Sequence, residues 1–261
     1  ASSDGLRIVI AESTLVLTEA TSQFQGPSAL HITTRVLLEA EPGRQVVLDA
    51  SASSADPRRV VFVDVGATLE ARGVVFTGGY STAGPGGGVL VNRGTLRLLN
   101  GSGVRGCVVN RSGAANANGG GVFNFGGTLE MVGAALTDNV AEAAQGQASG
   151  GGLDNRAPAN LVSILVENNT ARTASETQHA IGGGVTNGGD LTMHDARVVG
   201  NLAQAAGRQA RGGGLNLASS RNRGFSISST SSTKVSNMLS ETSTFISKVG
   251  QSRNDLSSSQ D

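Results

Sequence analysis

Three consecutive glycines recur five times along the chain, beginning at Gly86, Gly119, Gly150, Gly182 and Gly212, with 33, 31, 32 and 30 residues between successive starts. So regular a spacing identifies a structural repeat, because unrelated loops have no reason to keep one period. Other positions recur in order around the triplets. GGGVFNFGGTLEM and GGGVTNGGDLTM match Val122 with Val185, Asn124 with Asn187, Leu129 with Leu191 and Met131 with Met193, and their units close on Asn139 and Asn201. The third unit keeps Leu153, Asn155 and Asn169, and the first keeps Asn92, Leu96 and Leu98.

Within a unit the apolar residues alternate: Leu129 and Met131 with Thr128 and Glu130, Leu191 and Met193 with Asp190 and Thr192. Period two over so few residues predicts short strands rather than helices. Each unit supplies about three of them: one after the glycines, one at GTLEM or GDLTM, and one ending at Asn139, Asn169 or Asn201. A single such coil cannot bury its inward side chains, whereas coils stacked about 4.8 Å apart pair their backbones and align like residues into ladders. The predicted interior includes Val122, Leu129, Met131, Leu136, Val185, Leu191, Met193 and Val198. With no Trp and one Tyr, that interior has to be built from aliphatic residues. Upstream of the triplets, LRIVI, TLVLT, ALHITTRVLLEA, RQVVLDA and RRVVFVDVGATLEARGVVFTGG are strand-like runs separated by turn residues, so the coils extend back toward the first residues.

The succession VVFVDVGATLEARGVVFTGG, GGGVLVNRGTLRLLN, GGGVFNFGGTLEM and GGGVTNGGDLTM, closing on DNVA, ENNTA and GNLA, resembles the right-handed parallel β-helix repeats of surface and secreted proteins. It is similar to the polymorphic outer-membrane protein type and to related pectin-lyase-like solenoids, over roughly residues 25–218. The resulting expectation is an all-β chain: a right-handed, single-stranded parallel β-helix (solenoid) of about seven or eight coils over residues 1–220. Residues 221–261 are expected to form a Ser/Thr-rich tail or linker, since 15 of the 43 residues from 219 onward are serine. Val235, Met238, Leu239, Phe245, Ile246 and Val249 leave a helical cap over the open end as the alternative. The resemblance implies an extracellular or cell-surface location and a non-catalytic, adhesin-like scaffold, with surface glycans or other extracellular proteins as partners. A carbohydrate-active β-helix, a polysaccharide lyase or glycoside hydrolase, is the alternative it implies.

The glycines themselves are structural. A phosphate-binding loop needs Lys and Ser/Thr after its glycines and a dinucleotide site needs a spaced GxGxxG, and GGGVTN, GGGLDN and GGGVFN offer neither. Asn124, Asn155 and Asn187 are placed to form a hydrogen-bonded ladder at successive corners, because a side-chain amide both donates and accepts. Glycoside hydrolysis would need two carboxylates about 5 to 9.5 Å apart. The candidates Glu130, Asp138, Asp154, Asp190 and Asp195 fall at different repeat positions, and Glu130 shares its slot with Thr192. His194, Asp195 and Arg197 form the most varied local cluster, yet adjacent residues of an extended strand face opposite ways. His31 and His179 stand apart from it in sequence. No residue is therefore assigned as catalytic, cofactor-binding or metal-ligating, and no cofactor is expected.

Arg97, Glu130 and Thr192 on outward positions break the regular Thr array that an ice-binding face requires, and the turns lack the GGxGxDx pattern of calcium-binding repeats. The formal net charge of +0 gives no basic stripe for nucleic acid, and no apolar run approaches the roughly 18 residues of a spanning helix. Cys107 reads as a small inward hydrophobe. Asn100, Asn110 and Asn168 stand in N-glycosylation sequons, which matter only in a secreted eukaryotic chain.

Overall fold

The structure is a computed structural model that describes residues 5–218, 222–228 and 235–237. Every pairing between its named strands is parallel, and the chain winds as a right-handed parallel β-helix of about 7 turns. Sheet I has two flanks. The first stacks Leu6–Ile10, Arg35–Ala40, Thr68–Arg72, Thr95–Leu99, Thr128–Val132, Ala159–Val162 and Leu191–Val199. The second stacks Thr14–Val16, Val46–Asp49, Val74–Thr77, Gly103–Arg105, Ala135–Thr137 and Leu165–Glu167, and joins the first through the long strand Leu191–Val199. Sheet II runs from Ser28–Ile32 through Arg59–Val63, Val89–Asn92, Val122–Phe125, Leu153–Asn155 and Val185–Asn187 to Leu215–Leu217 and Val235–Asn237. These faces enclose the main core, and all eight interior residues expected from the repeat are buried in it.

A middle coil holds five short strands rather than the expected three. After Val122–Phe125, Thr128–Val132 and Ala135–Thr137 come Val140–Ala143 and Ala148–Ser149, which belong to two further small sheets, III and IV. These form a side lobe packed on Val109, Ala117, Ala141, Ala143, Ala148 and Ala171. Alanine at these positions lets the two sheets approach closely, and it also removed the β-branched signal by which a strand is recognised.

Each glycine of a triplet has its own reason. The first glycines, Gly86, Gly119, Gly150, Gly182 and Gly212, all lie at positive φ, between 57° and 74°, where a Cβ is strained. A Cβ on Gly151, the second of its triplet, would overlap the carbonyl oxygen of Gly183 on the next coil.

Two asparagine ladders run up the stack. Asn124 Nδ2 donates to Asn155 Oδ1 (2.7 Å), and Asn155 Nδ2 to Asn187 Oδ1 (2.6 Å). The first unit does not extend this ladder through Asn92 as the sequence match suggests: the register sets Val91 against Asn124 and Asn92 against Phe125. A second ladder, Asn139–Asn169–Asn201, has Nδ2 to Oδ1 distances of 2.9 Å at both steps. Its oxygens also accept backbone N–H groups, from Cys107 (3.0 Å), Asn139 (3.0 Å) and Asn169 (2.9 Å). Cys107 thus stands at the foot of that ladder, fully buried, its thiol pushed up to about 12 by burial, which removes thiolate reactivity.

Past residue 220, Asn222–Ser228 pairs with Leu191–Val199, and Val235–Asn237 with Leu215–Leu217. The rest of the expected 221–261 tail, with residues 238–249 of the helical alternative, lies outside the described residues.

Candidate functional site: the outer faces of the solenoid

The outer surface of the first flank of sheet I carries a row of polar residues in register: Glu70, Arg97, Glu130, Asn160 and Thr192. Alternation puts their neighbours Leu96, Leu129 and Leu191 inside and these residues outside. Arg97 bridges two carboxylates, with Nη1 2.7 Å from Glu70 Oε2 and Nε 2.7 Å from Glu130 Oε2. The hydrogen bond to Glu130 is the main reason that the Arg97 guanidinium is held above its ordinary pKa. Beside this row Thr128, Glu130, Pro158, Asn160, Asp190 and Thr192 border an open groove of about 550 Å³. Glu130 and Asp190 therefore share one groove. They sit two rungs apart and two residues apart along the strand, about 12 Å between backbone positions from standard spacings.

The His194–Asp195 pair does not behave as an extended dipeptide. Asp195 has φ of 50°, and this left-handed corner turns both side chains outward, so the expectation that they face opposite ways is corrected. The same corner holds Gly133 and Ser163, also at positive φ, and with Asp195 and Arg197 they line a second, shallow groove of about 460 Å³. His194 itself is exposed. The other histidines are elsewhere: His31 bonds Asp64 (3.1 Å) and stacks on Phe62 with centroids 4.9 Å apart, and His179 approaches the carbonyl oxygen of Gln209 at 3.2 Å. Asp138 lies at an exposed corner with φ of 58°.

Sheet II presents a different outer face. Its outward column reads His31, Phe62, Leu90, Phe123, Asp154, Thr186 and Asn216. Phe62, Leu90 and Phe123 form an apolar cluster of their own, separate from the main core. Phe24 packs on Phe62 (centroids 5.8 Å apart) and Phe125 on Phe123 (5.9 Å), and both outer rings are exposed, by 57% and 45%. Gln25, Pro85, Leu90, Asn92, Phe123 and Phe125 line a cavity of about 290 Å³. The Arg156 guanidinium lies 5.0 Å from the Phe123 centroid and is held there by Asp154 (3.0 Å). Burial raises the Asp154 carboxyl above its ordinary pKa, against the opposing pull of Arg156 and Ser149. In the sequence Asp154 stands only as a candidate carboxylate and this column is hidden, because Phe62 and Phe123 fall in different units and nothing but the register aligns them.

Among the described residues no group of three or more His, Cys, Asp and Glu is arranged to hold a metal ion, and no helix is long and apolar enough to cross a membrane. Of the sequon residues, Asn100 and Asn168 are exposed at corners, and Asn110 donates to the Tyr80 hydroxyl (3.0 Å). No protein-family model matches the chain, and comparisons with curated proteins and with solved structures give no match. What the chain is shown to be is a right-handed parallel β-helix, by its own coordinates.

Proposed function

We propose that the protein is a non-catalytic, adhesive scaffold, secreted or displayed on a cell surface, that retains glycans on the outer aromatic face of sheet II. The observation that carries this reading is where the phenylalanines are spent. Of 7 in the sequence, Phe24 and Phe125 are exposed on that face, each packed on a buried ring, Phe62 or Phe123. A rod needing only stability would bury Phe24 and Phe125 as it buries Phe62, Phe76 and Phe123, where burial contributes most. An exposed ring beside the side chains of Asn92 and Gln25 suits a sugar, which offers C–H groups on one face and hydroxyls at its edge. The outward location rests on the resemblance to surface-protein repeats. A glycan array probed with the wild-type chain and with Phe125→Ala tests the reading: binding lost in the folded variant supports it, and equal binding by both excludes this face.

One observation favours the carbohydrate-active alternative, namely that Glu130 and Asp190 border one groove. Against it, Glu130 is engaged by Arg97. Polysaccharide cleavage abolished by Glu130→Gln and by Asp190→Asn, both folded, would establish it.

A further inference from the structure

The pairing of Val61 with Val89 puts Arg59 opposite Gly87, so a guanidinium stands where the later coils carry the second glycine of the triplet. Its side chain is fully buried, with the residue 0% exposed. It lies between two turns, with Nη2 donating to the carbonyl oxygen of Gln25 at 2.5 Å on one side and Gly84 packed against it on the other. Nε and Nη1 have no acceptor on the protein and are screened from solvent. The neighbouring Arg58 shows what a satisfied buried arginine looks like in this fold: it donates to the carbonyls of Leu17 (3.2 Å) and Ala50 (2.7 Å) and pairs with Asp56. The charge that acts on Arg59 has its own sign. Burial first, and then Arg111, lower the Arg59 pKa to about 10, and Arg111 is tied to the same turn by Nη1 donating to the carbonyl oxygen of Thr82 (2.7 Å).

Two guanidiniums thus converge on the turn at residues 82–85, one of them with unused donors, and a planar fork of N–H groups is the side chain best suited to the oxygens of an anion. We propose that Arg59 and Arg111 form a binding site for a small oxyanion beneath this turn, sulfate and phosphate being its simplest forms. Thr82 and Ala83 at the tip are exposed, so an anion enters by displacing the turn rather than the sheet. Because Gln25 and Pro85 also wall the aromatic cavity, the oxyanion is either a free ion or a group carried on a sugar seated there.

The test is thermal unfolding of the full chain as sodium sulfate or sodium phosphate replaces sodium chloride at constant ionic strength. Sulfate and phosphate stabilise most proteins by exclusion, which raises Tm about linearly with concentration, whereas a site raises it with the logarithm of one plus the ligand concentration divided by Kd, steepest at low concentration and setting in near Kd. The expected result is a logarithmic rise that sets in on the order of 1 mM, lost in Arg59→Gln and shifted to at least about tenfold higher concentration in Arg111→Gln. In chloride alone Arg59→Gln is expected to melt no lower than wild type, since it removes an uncompensated buried charge. If Arg59 served only to fasten the two turns, Arg59→Gln would melt lower in every salt and wild type would show only the linear rise that exclusion gives. Arg111→Gln keeps the test decisive if Arg59→Gln does not fold: a wild-type response that is linear and parallel to that of Arg111→Gln overturns the site. With glucose 6-sulfate as the probe, a rise that sets in at or below the concentration found for inorganic sulfate assigns the oxyanion to a sugar, and no response assigns it to the free ion.

Discussion

Asn155 gives its amide to Asn187 and to the carbonyl oxygen of Ala157 and receives the amide of Asn124, so its removal leaves groups unpaired on three partners. Asn155→Ala is expected to cost about 2 to 4 kcal/mol in a urea series. Asn124 ends the ladder against Val91, and its own Oδ1 already lacks a partner, so Asn124→Val should cost about half as much. The reverse order would contradict the ladder. On the strand Leu191–Val199, Leu191 is buried and His194 exposed. Leu191→Asp should therefore destabilise by several kcal/mol, about 4, and His194→Ala by no more than about 0.5, and equal costs would reject this facing. Asp154 has the opposite pH signature to a surface carboxylate. Its folded-state pKa is raised above the ordinary 3.8, so the folded chain holds the proton more tightly than the unfolded one, and stability falls as pH rises from that value through the folded one. Asp154→Asn removes this slope. Urea melts between pH about 4 and about 7 should show the stability difference moving in favour of the variant as pH rises, and a flat or opposite trend would contradict the burial of the charge.

The glycine triplet separates two costs that are usually mixed. Gly151 has no strained φ, but a Cβ there meets backbone atoms of the adjacent coil, whereas Gly133 has φ of 58° and open space around it. Gly133→Ala is then expected to cost about 1 to 2 kcal/mol and Gly151→Ala distinctly more, because no side chain can yield. Comparable melting temperatures for the two variants would argue against the close approach of the coils. The repeat made this triplet, the main core and the Asn124–Asn155–Asn187 ladder legible in the sequence, since each depends on a residue type recurring at one offset. Elements written in alanine leave no such trace. VAEAAQGQAS carries a single β-branched residue, Val140, yet it supplies Val140–Ala143 and Ala148–Ser149. Asn139, Asn169 and Asn201 were seen to recur, but their bonding depends on left-handed corners at Asp138, Asn168 and Gly200, which two non-glycine residues conceal. The same concealment at Asp195 turned His194 and Asp195 to one side. The phenylalanine column and Arg59 lie on faces that only the register between coils defines.

Taken as a whole, the seven rungs of the first flank, from Leu6–Ile10 to Leu191–Val199, stack to about 29 Å at standard strand spacing. Over that length the interior is continuous, so the outer faces keep a fixed geometry, one polar with its arginine bridging two glutamates and one aromatic. A rigid surface of this kind fits retention of a ligand: Asp154 is buried on sheet II, Asp195 is at the corner between the flanks, and Glu130, which shares its groove with Asp190, is held by Arg97. The most direct test incubates the wild-type chain with a panel of acidic and neutral polysaccharides and measures, in the same samples, protein retained on the polymer and reducing ends or unsaturated products released. Retention on at least one polymer with no product above the buffer control is the result predicted for a non-catalytic scaffold. Product that accumulates with time in proportion to the folded protein would contradict it.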